Sequence, residues 1–271
     1  GWPSRAAVMS GLLPSTSGIY NNNHWWKPSL PDLVTLPEHF RDNGYIAVGA
    51  GKIFHHTVGN NPPAIWDEFQ RLVFNDDAFS RSFGRYLTLY PYTKRQPVPR
   101  DFPYSGITLY SPEVDWGVLP KKESEMDDYQ TVKFCTDFLA RKRLKPFFLA
   151  CGIFHPHLPW YVPREYLDLY REDQVRLPEV FKKDLNDVPS AGQKMALRKK
   201  QDLEKVRAAK KWKSAVAHYL ASVTYADARI AQLLKGLDKS VYGQNTIIVL
   251  WSDHAWHYQE KEHWNKRTLW E

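Results

Sequence analysis

The stretch Phe147-Phe148-Leu149-Ala150-Cys151-Gly152-Ile153 is a continuous apolar run, which is typical of a strand buried on both faces of a sheet. Two more runs of this kind occupy residues 45–50 and 246–251. Between the runs, apolar side chains recur at helical spacing over residues 129–139 and 216–234. Before the first run, Thr35 is placed to cap a helix that ends at Gly44. Strands that alternate with helices predict an α/β fold, in which a mostly parallel central sheet carries helices on both faces.

The composition is that of an ordinary globular protein, since 43% of the 271 residues are hydrophobic and 25% are charged. No apolar run is long enough to span a bilayer, so we expect no membrane span. Much of the basic excess behind the net charge of +7 lies in residues 182–213, which we interpret as a solvated basic helical insertion. A nucleic-acid surface would need stacking aromatic residues beside that charge, and only Trp212 is close in sequence. We therefore expect no nucleic-acid partner.

The opening stretch Gly1-Trp2-Pro3-Ser4-Arg5-Ala6-Ala7-Val8-Met9-Ser10-Gly11 predicts a helix that begins at or just after position 1. Pro3 suits the first helical turn, because its φ is already set and its missing N–H would have no partner there. Position 1 then lies at a helix N-terminus, where backbone N–H groups and the helix dipole favour an anion. Arg5, one turn further on, carries a forked guanidinium that suits a tetrahedral oxyanion.

Histidine and other polar side chains follow each of the predicted strands. The carboxyl ends of parallel strands share one edge of the sheet, where ligands bind in such folds, so we expect these groups to converge. They are Lys52, His55, His155, His157, Asp253 and His254. The pair Asp253-His254 is either a turn after the strand or a pair of metal ligands. We interpret His56, His257 and His263 as solvated surface groups.

The opening stretch resembles the sulfatase signature, which reads Cys or Ser, any residue, Pro-Ser-Arg, a short spacer and Thr/Ser-Gly. The residues in register are Pro3, Ser4, Arg5, Ser10 and Gly11. Further blocks extend the resemblance over almost the whole chain, in the order found in the iduronate-2-sulfatase-like branch of the formylglycine-dependent sulfatases. These blocks are Gly51-Lys52-Ile53-Phe54-His55, Pro156-His157-Leu158-Pro159, Ser252-Asp253-His254 and Trp264-Asn265-Lys266. The resemblance implies a truncated sulfatase catalytic domain of the alkaline-phosphatase-like superfamily over residues 1–271.

The resemblance also implies catalytic roles for particular positions. Position 1 would be formylglycine, whose hydrate attacks the sulfur of a sulfate ester. Arg5 and Lys52 would hold the formylglycine and the charge of the sulfate. His55 would take a proton from the second hydroxyl of the hydrate. His157 and Lys266 would bind sulfate oxygens and donate a proton to the leaving alcohol.

The implied ligands are a sulfated carbohydrate, which is the substrate, and calcium, which Asp253 and His254 would bind. Trp25, Trp26, Trp160 and His155 are candidates for the wall of the substrate pocket or, alternatively, for packing in the core. The implied partner is a formylglycine-generating or anaerobic maturation enzyme. The implied location is secreted or periplasmic, or lysosomal in an animal, and no signal peptide is visible in the sequence.

Two departures from the family pattern leave alternatives open. Position 1 reads Gly1, so either a modified residue stands there or the nucleophile is lost. The family's first strand supplies two more Asp ligands for calcium, and we interpret the chain as a fragment without that strand and without the C-terminal subdomain. The alternatives to a sulfatase are a phosphate-ester or phosphonate hydrolase on the same scaffold, or an inactive truncated homologue that binds anionic polysaccharide.

Overall fold

The computed structural model describes residues 1–22, 24, 26–55, 61–70, 103–109 and 114–268. The chain divides into two compact units. The first unit comprises Gly1–Val98, Lys121–His155 and Ala226–Asp253. The second unit comprises Pro99–Pro120, Pro156–Tyr225 and His254–Glu271. Among the described residues, no helix is both long enough and apolar enough to cross a membrane.

The regular elements of the described residues are short apart from two helices. The strands are β1 (Ile46–Gly51), β2 (Glu68–Gln70), β3 (Trp116–Leu119), β4 (Phe147–Gly152), β5 (Trp160–Pro163), β6 (His257–Tyr258) and β7 (Trp264–Asn265). The α-helices are Trp2–Ser10, Pro14–Ser17, Trp26–Ser29, Leu36–Asp42, Asp127–Leu139, Arg164–Leu167, Ser190–Ala196, Lys200–Ala208 and Trp212–Asp238. The 3-10 turns are Pro63–Ile65, Glu123–Glu125, Glu172–Gln174, Leu197–Lys199 and Glu260–Glu262.

A parallel sheet forms the centre of the first unit. Its strand order is β2-β1-β4, and both neighbouring pairs are parallel. The register of β1 and β4 ends with Gly51 opposite Gly152, and the N–H of Lys52 donates to the carbonyl of Gly152 at 2.8 Å. A Cβ at Gly152 would run into the backbone of Lys52, so the close approach of the two strand ends requires glycine. The chain segments that follow β1 and β4 therefore leave the sheet at the same edge.

Helices cover both faces of this sheet. On one face, Ala47, Phe148 and Ala150 pack in a cluster with Trp2 and Met9 of the opening helix. On the other face, side chains of the same two strands pack against the helices Asp127–Leu139 and Trp212–Asp238. These strand residues are Ile46, Val48, Phe147 and Leu149. This arrangement confirms the predicted α/β fold, and it explains why the strand sequences are apolar at consecutive positions.

The prediction of a third strand at residues 246–251 is wrong. The structure contains no strand there, and the side chains are exposed, with Ile247 at 93% and Val249 at 72%. A strand needs a neighbour to pair with its backbone N–H and C=O groups. β4 is the outer strand of the three-stranded sheet, and within the described residues no strand pairs with its free edge. An apolar sequence alone could not supply that neighbour.

The predicted helices form where expected. Thr35 and Glu38 make a capping box at the start of the helix Leu36–Asp42, which is the stabilising pattern expected for Thr followed by Glu three residues later. The opening helix runs over Trp2–Ser10 with Gly1 at its N-cap, and Gly11 ends it in the left-handed conformation at φ 71°. The long apolar stripe lies in the helix Trp212–Asp238.

The second unit contains two small sheets and an aromatic core. β3 pairs with β5 in parallel, with Trp116 opposite Trp160, and β6 pairs with β7 antiparallel. The basic segment 182–213 contributes to this core, because Leu203 and Val206 are buried within it. Its helices are therefore amphipathic, with charged side chains on one side and a packed apolar side on the other.

Candidate functional site

Arg5 joins three separate segments of the first unit. Its Nε donates to Oδ2 of Asp253 at 3.1 Å, and its Nη1 donates to the carbonyls of Lys52 and Ile53. The same Asp253 oxygen lies 2.8 Å from the backbone nitrogen of Gly1. Burial lowers the pKa of the Arg5 guanidinium, and the charge of Asp253 partly offsets that effect. The opening helix, the segment after β1 and Asp253 thus meet around one guanidinium.

Position 1 has room for a side chain. A Cβ built on Gly1 would have Oδ1 of Asn22 as its nearest neighbour at 3.5 Å, and Cδ of Pro3 at 3.8 Å. Both distances are ordinary van der Waals contacts. Asn22 also accepts the N–H of Trp2 at 2.9 Å, and so satisfies one of the free donors of the helix N-terminus. A Cβ therefore fits at this position without displacing either neighbour.

Lys52 and His55 lie in the segment that follows β1. Both residues are buried, at 6% and 4% exposure. The ammonium of Lys52 lies 4.0 Å from the centroid of the Phe154 ring, in the segment that follows β4. The prediction that segments after neighbouring strands converge is therefore confirmed for β1 and β4. His56, which we interpret from the sequence as a surface group, lies outside the described residues.

His155 is paired with a carboxylate that sequence reasoning missed. Its Nδ1 lies 2.7 Å from Oδ2 of Asp128, and the two side chains are only 1% and 3% exposed. Asp128 also accepts the backbone N–H groups of Phe154 and His155, at 2.8 and 3.0 Å. The His155 side chain is thus buried in a structural contact rather than offered on a pocket wall.

His157 and Lys266 form a pair within the second unit. The ammonium of Lys266 lies 2.8 Å from Nε2 of His157, while Nδ1 of His157 lies 2.6 Å from the carbonyl of Leu158. A lysine ammonium only donates, and a carbonyl only accepts. The arrangement therefore fits an imidazole with its proton on Nδ1 and its lone pair on Nε2. The pair thus places an ammonium donor against the lone pair of an imidazole.

The predicted aromatic pocket wall is instead part of the protein core. Trp160 is 1% exposed and packs against Trp116, Tyr219 and Trp264 in the second unit. Trp26, also 1% exposed, stacks on Phe54 in the first unit. Their large apolar area explains this position, since burying it stabilises the fold. Trp25 lies outside the described residues.

The expectation that His263 is a solvated surface group is wrong. His263 is 2% exposed, and both of its ring nitrogens contact backbone carbonyls. His257 is half-buried, and its Nε2 lies 2.8 Å from the hydroxyl of Thr268. No spacing rule distinguishes His263 from a surface histidine. Its partner Ala196 lies 67 positions away, so no local sequence signal marks it as buried.

The predicted calcium ligands do not form a metal site by themselves. Oδ2 of Asp253 is occupied by Arg5 and Gly1, whereas His254 is exposed with its Nδ1 3.1 Å from the carbonyl of Ala255. Over the described ranges, no group of three or more His, Cys, Asp or Glu side chains could hold a metal ion. Calcium takes about six to eight oxygen ligands, so Asp253 and His254 would supply only part of a calcium site.

Comparison with known proteins places these features in a family. A family model named Sulfatase matches residues 2–271. A sulfatase of Formosa agariphila is 35% identical over 283 residues, which cover 99% of this chain and 52% of that protein. Human iduronate 2-sulfatase is 28% identical over 282 residues, which cover 97% of this chain and 48% of that protein. The chain thus spans about half the length of these relatives.

The fold has solved counterparts as well. The phosphonate monoester hydrolase of Agrobacterium radiobacter superposes with a TM-score of 0.68 at 16% identity, covering 99% of this chain and 56% of that chain. At that identity the likeness concerns the fold alone. The family model, in contrast, covers the opening motif from Trp2 onward and every later block quoted above. The chain belongs to the sulfatase family.

Proposed function

We propose that the chain is part of a sulfuric ester hydrolase that removes sulfate from a sulfated carbohydrate. The observation that carries the proposal is the contact of Arg5 with Asp253 and with the carbonyls of Lys52 and Ile53. It brings the opening sulfatase motif together with two of the later blocks. Sulfate ester hydrolysis needs fixed positive charge around the transferred group, because negative charge moves to the leaving oxygen.

In the first unit, the proposal assigns position 1, Arg5, Lys52 and His55 to the nucleophilic side of the reaction. A formylglycine hydrate at position 1 would supply the attacking oxygen, and the room around Gly1 supports this assignment. Arg5 fixes the backbone that follows β1 and adds positive charge beside position 1. Lys52 would hold sulfate by charge. His55 would take a proton from the second hydroxyl of the hydrate, so that sulfate leaves and the aldehyde re-forms.

In the second unit, His157 and Lys266 would act on sulfate and on the leaving group. Their 2.8 Å contact supports this assignment, since it supplies an ammonium and a histidine that can relay its proton. An alcohol leaves far more readily when it is protonated as the bond breaks. Lys266 would thus donate to the leaving oxygen, directly or through His157. Trp160 and His155 have supporting positions and are left out of the substrate contacts.

Calcium and maturation remain part of the proposal at the level of the family. Asp253 and His254 are the residues that would contribute to a calcium site, and a bound cation would polarise the sulfate. The described residues do not complete such a site, so no step depends on it. We further infer that a formylglycine-generating or anaerobic maturation enzyme acts on the complete protein, and that the protein functions in the periplasm, outside the cell or in a lysosome.

The test uses the complete gene product from which this sequence is taken. Mass spectrometry of the peptide that contains position 1 distinguishes glycine from formylglycine by mass. If position 1 is glycine, we expect no sulfate release, because glycine has no side-chain atom that can attack. The variant Gly1→Cys, co-expressed with a formylglycine-generating enzyme, should then release sulfate from 4-nitrocatechol sulfate and from sulfated glycosaminoglycan oligosaccharides.

Two controls make the result specific. The variant Gly1→Ala adds a Cβ without a nucleophile and should stay inactive. Paired phosphate and phosphonate monoesters test the alternative reaction on the same scaffold. Hydrolysis of those esters in preference to sulfate esters would overturn the proposal. A modified Gly1→Cys protein that folds, binds sulfated oligosaccharide and hydrolyses nothing would instead support an inactive homologue.

A further inference from the structure

The segment that carries Lys266 has an unusual backbone. Four of its residues other than glycine have positive φ angles, namely Gln259 (130°), Lys261 (52°), Glu262 (52°) and Arg267 (79°). Such conformations are unfavourable for residues with a Cβ, and they persist only where the surroundings fix them. Each of these residues lies within eight positions of Lys266. What holds this segment therefore also determines where Lys266 lies.

The basic segment 182–213 supplies the contacts that hold it. The ammonium of Lys261 lies 2.8 Å from Oδ1 of Asp187 and 3.1 Å from Oδ1 of Asp184, and its backbone N–H donates to Asp184 at 2.9 Å. Nε of Arg207 donates to Oε1 of Gln259 at 3.0 Å, and Gln259 is buried. These bonds attach residues 259–267 to the basic segment 182–213 at two points.

His263 makes the contact that reaches Lys266 itself. Its Nδ1 lies 2.6 Å from the carbonyl of Ala196, in the helix Ser190–Ala196. Its Nε2 lies 3.1 Å from the carbonyl of Lys266. The N–H of Lys266 donates to Oδ1 of Asn265 at 2.8 Å, so both backbone polar groups of Lys266 are held. The ring of His263 is 2% exposed. Carbonyls only accept, so the ring bonds both of them, and links the basic segment to the Lys266 backbone, in the form that carries a proton on each nitrogen.

We propose that His263 is a positioning residue that, anchored on the basic segment, holds Lys266 in contact with His157. The inference rests on the proposed function, in which this pair protonates the leaving alcohol. It also assigns a role to residues 182–213, because Ala196, Asp184 and Arg207 contact His263, Lys261 and Gln259 and so hold the segment that carries Lys266. Loss of the His263 contact should leave Arg5 and Lys52 in place but displace Lys266, the proton donor.

The test compares two sulfate esters in the complete enzyme, with formylglycine confirmed at position 1. A sugar sulfate has a leaving alcohol that needs a proton, whereas 4-nitrocatechol leaves readily as an anion. The variant His263→Ala should lower kcat for the sugar sulfate about 10- to 100-fold and that for 4-nitrocatechol sulfate by less than about threefold. A general loss of folded enzyme would lower both by the same factor, and that equal loss would overturn the inference.

Two conservative variants separate the ring nitrogens. The amide nitrogen of His263→Gln can take the place of Nε2 and bond the Lys266 carbonyl. The amide nitrogen of His263→Asn takes the place of Nδ1 and reaches only Ala196. We expect His263→Gln to restore the sugar-sulfate rate to within about threefold of the parent and His263→Asn to behave like His263→Ala. Rescue by Asn and not by Gln would contradict the assignment.

A double-mutant cycle shows whether His263 acts through Lys266. In a Lys266→Ala background, His263→Ala should cause no further loss on the sugar sulfate, because the group that it positions is gone. Additive losses would overturn the inference. His39→Ala, at an exposed histidine of the helix Leu36–Asp42, is the matched control and should not change either rate. If the parent enzyme releases no sulfate from either ester, the proposed function fails instead.

Discussion

At the scale of single residues, Arg5 does more than contribute charge. Its planar fork bonds a carboxylate with one nitrogen and two backbone carbonyls with another. Lysine keeps the charge but has one nitrogen, so it cannot make these bonds together. Arg5→Lys should lower the free energy of unfolding by about 2–3 kcal/mol, the cost of losing hydrogen bonds to a charged group in a mostly buried site.

Denaturant unfolding measures the stability of Arg5→Lys, with Arg164→Lys as the control variant. Arg164 is 68% exposed, and its Nη1 is 3.9 Å from Asp168, a contact that contributes little. Arg164→Lys should therefore unfold like the parent. Equal stability of the Arg5→Lys variant and the parent would show that the guanidinium contacts do not support the site.

His218 makes the second unit sensitive to pH. Burial lowers the pKa of His218 below 6.5, whereas its contact with the Ser214 carbonyl and the charges of Glu172 and Asp115 oppose that effect. Its Nε2 has no hydrogen-bond partner among the described residues, so the folded state favours the neutral ring. Below pH 6.5 the unfolded chain takes up a proton that the folded chain resists. Stability should therefore be complete above pH 6.5 and fall as the pH is lowered.

Thermal unfolding between pH 7.5 and pH 5 checks this expectation. His218→Gln removes the titrating group at similar size, so its melting temperature should fall less over that range than that of the parent. His39→Gln, at an exposed position, should keep the slope of the parent. A parallel pH dependence of the parent and His218→Gln would contradict the assignment.

At the scale of elements, helices were easier to predict from the sequence than strands or buried polar contacts. Caps and apolar stripes lie within the helix itself, and the helices at Thr35 and over 127–139 formed as predicted. The strand at 246–251 did not, because strand formation depends on a neighbour. Asp128 and His263 were missed, since their partners lie 27 and 67 positions away and no local pattern records them.

Asp128 connects the helix Asp127–Leu139 to the segment that follows β4. It lies in the first turn of the helix Asp127–Leu139, and its carboxylate accepts the N–H groups of Phe154 and His155 beyond β4. Asp128→Ala would leave these buried donors without an acceptor, at a cost of about 2–4 kcal/mol. We expect amide hydrogen exchange at both residues to accelerate strongly. Asp137→Ala, on an exposed position of the same helix, should leave their exchange unchanged.

Faster exchange at Phe154 and His155 in both variants would indicate general destabilisation rather than loss of this contact. Unchanged exchange in Asp128→Ala would show that the loop is held by other contacts. The intermediate variant Asp128→Asn keeps one acceptor oxygen but not the charge. Its exchange rates should therefore lie between those of the parent and of Asp128→Ala.

At the scale of the whole molecule, the apolar segment 247–251 is an unusual surface feature of the described residues. All of its side chains are exposed, from Trp251 at 49% to Ile247 at 93%. Contiguous apolar surface of this kind normally contacts another surface, and unpaired backbone beside it favours pairing with a second chain. The 271-residue chain, expressed as it stands, should therefore self-associate at micromolar concentrations.

Size-exclusion chromatography with light scattering measures this association. The double variant Ile247→Thr/Val249→Thr keeps β-branched side chains but removes apolar surface, so it should shift the chain towards the monomer. Val241→Thr is the matched control, because Val241 is 71% exposed yet lies outside the apolar segment. If the segment drives association, only the double variant should respond, since an isolated exposed valine supplies too little apolar area to hold two chains together.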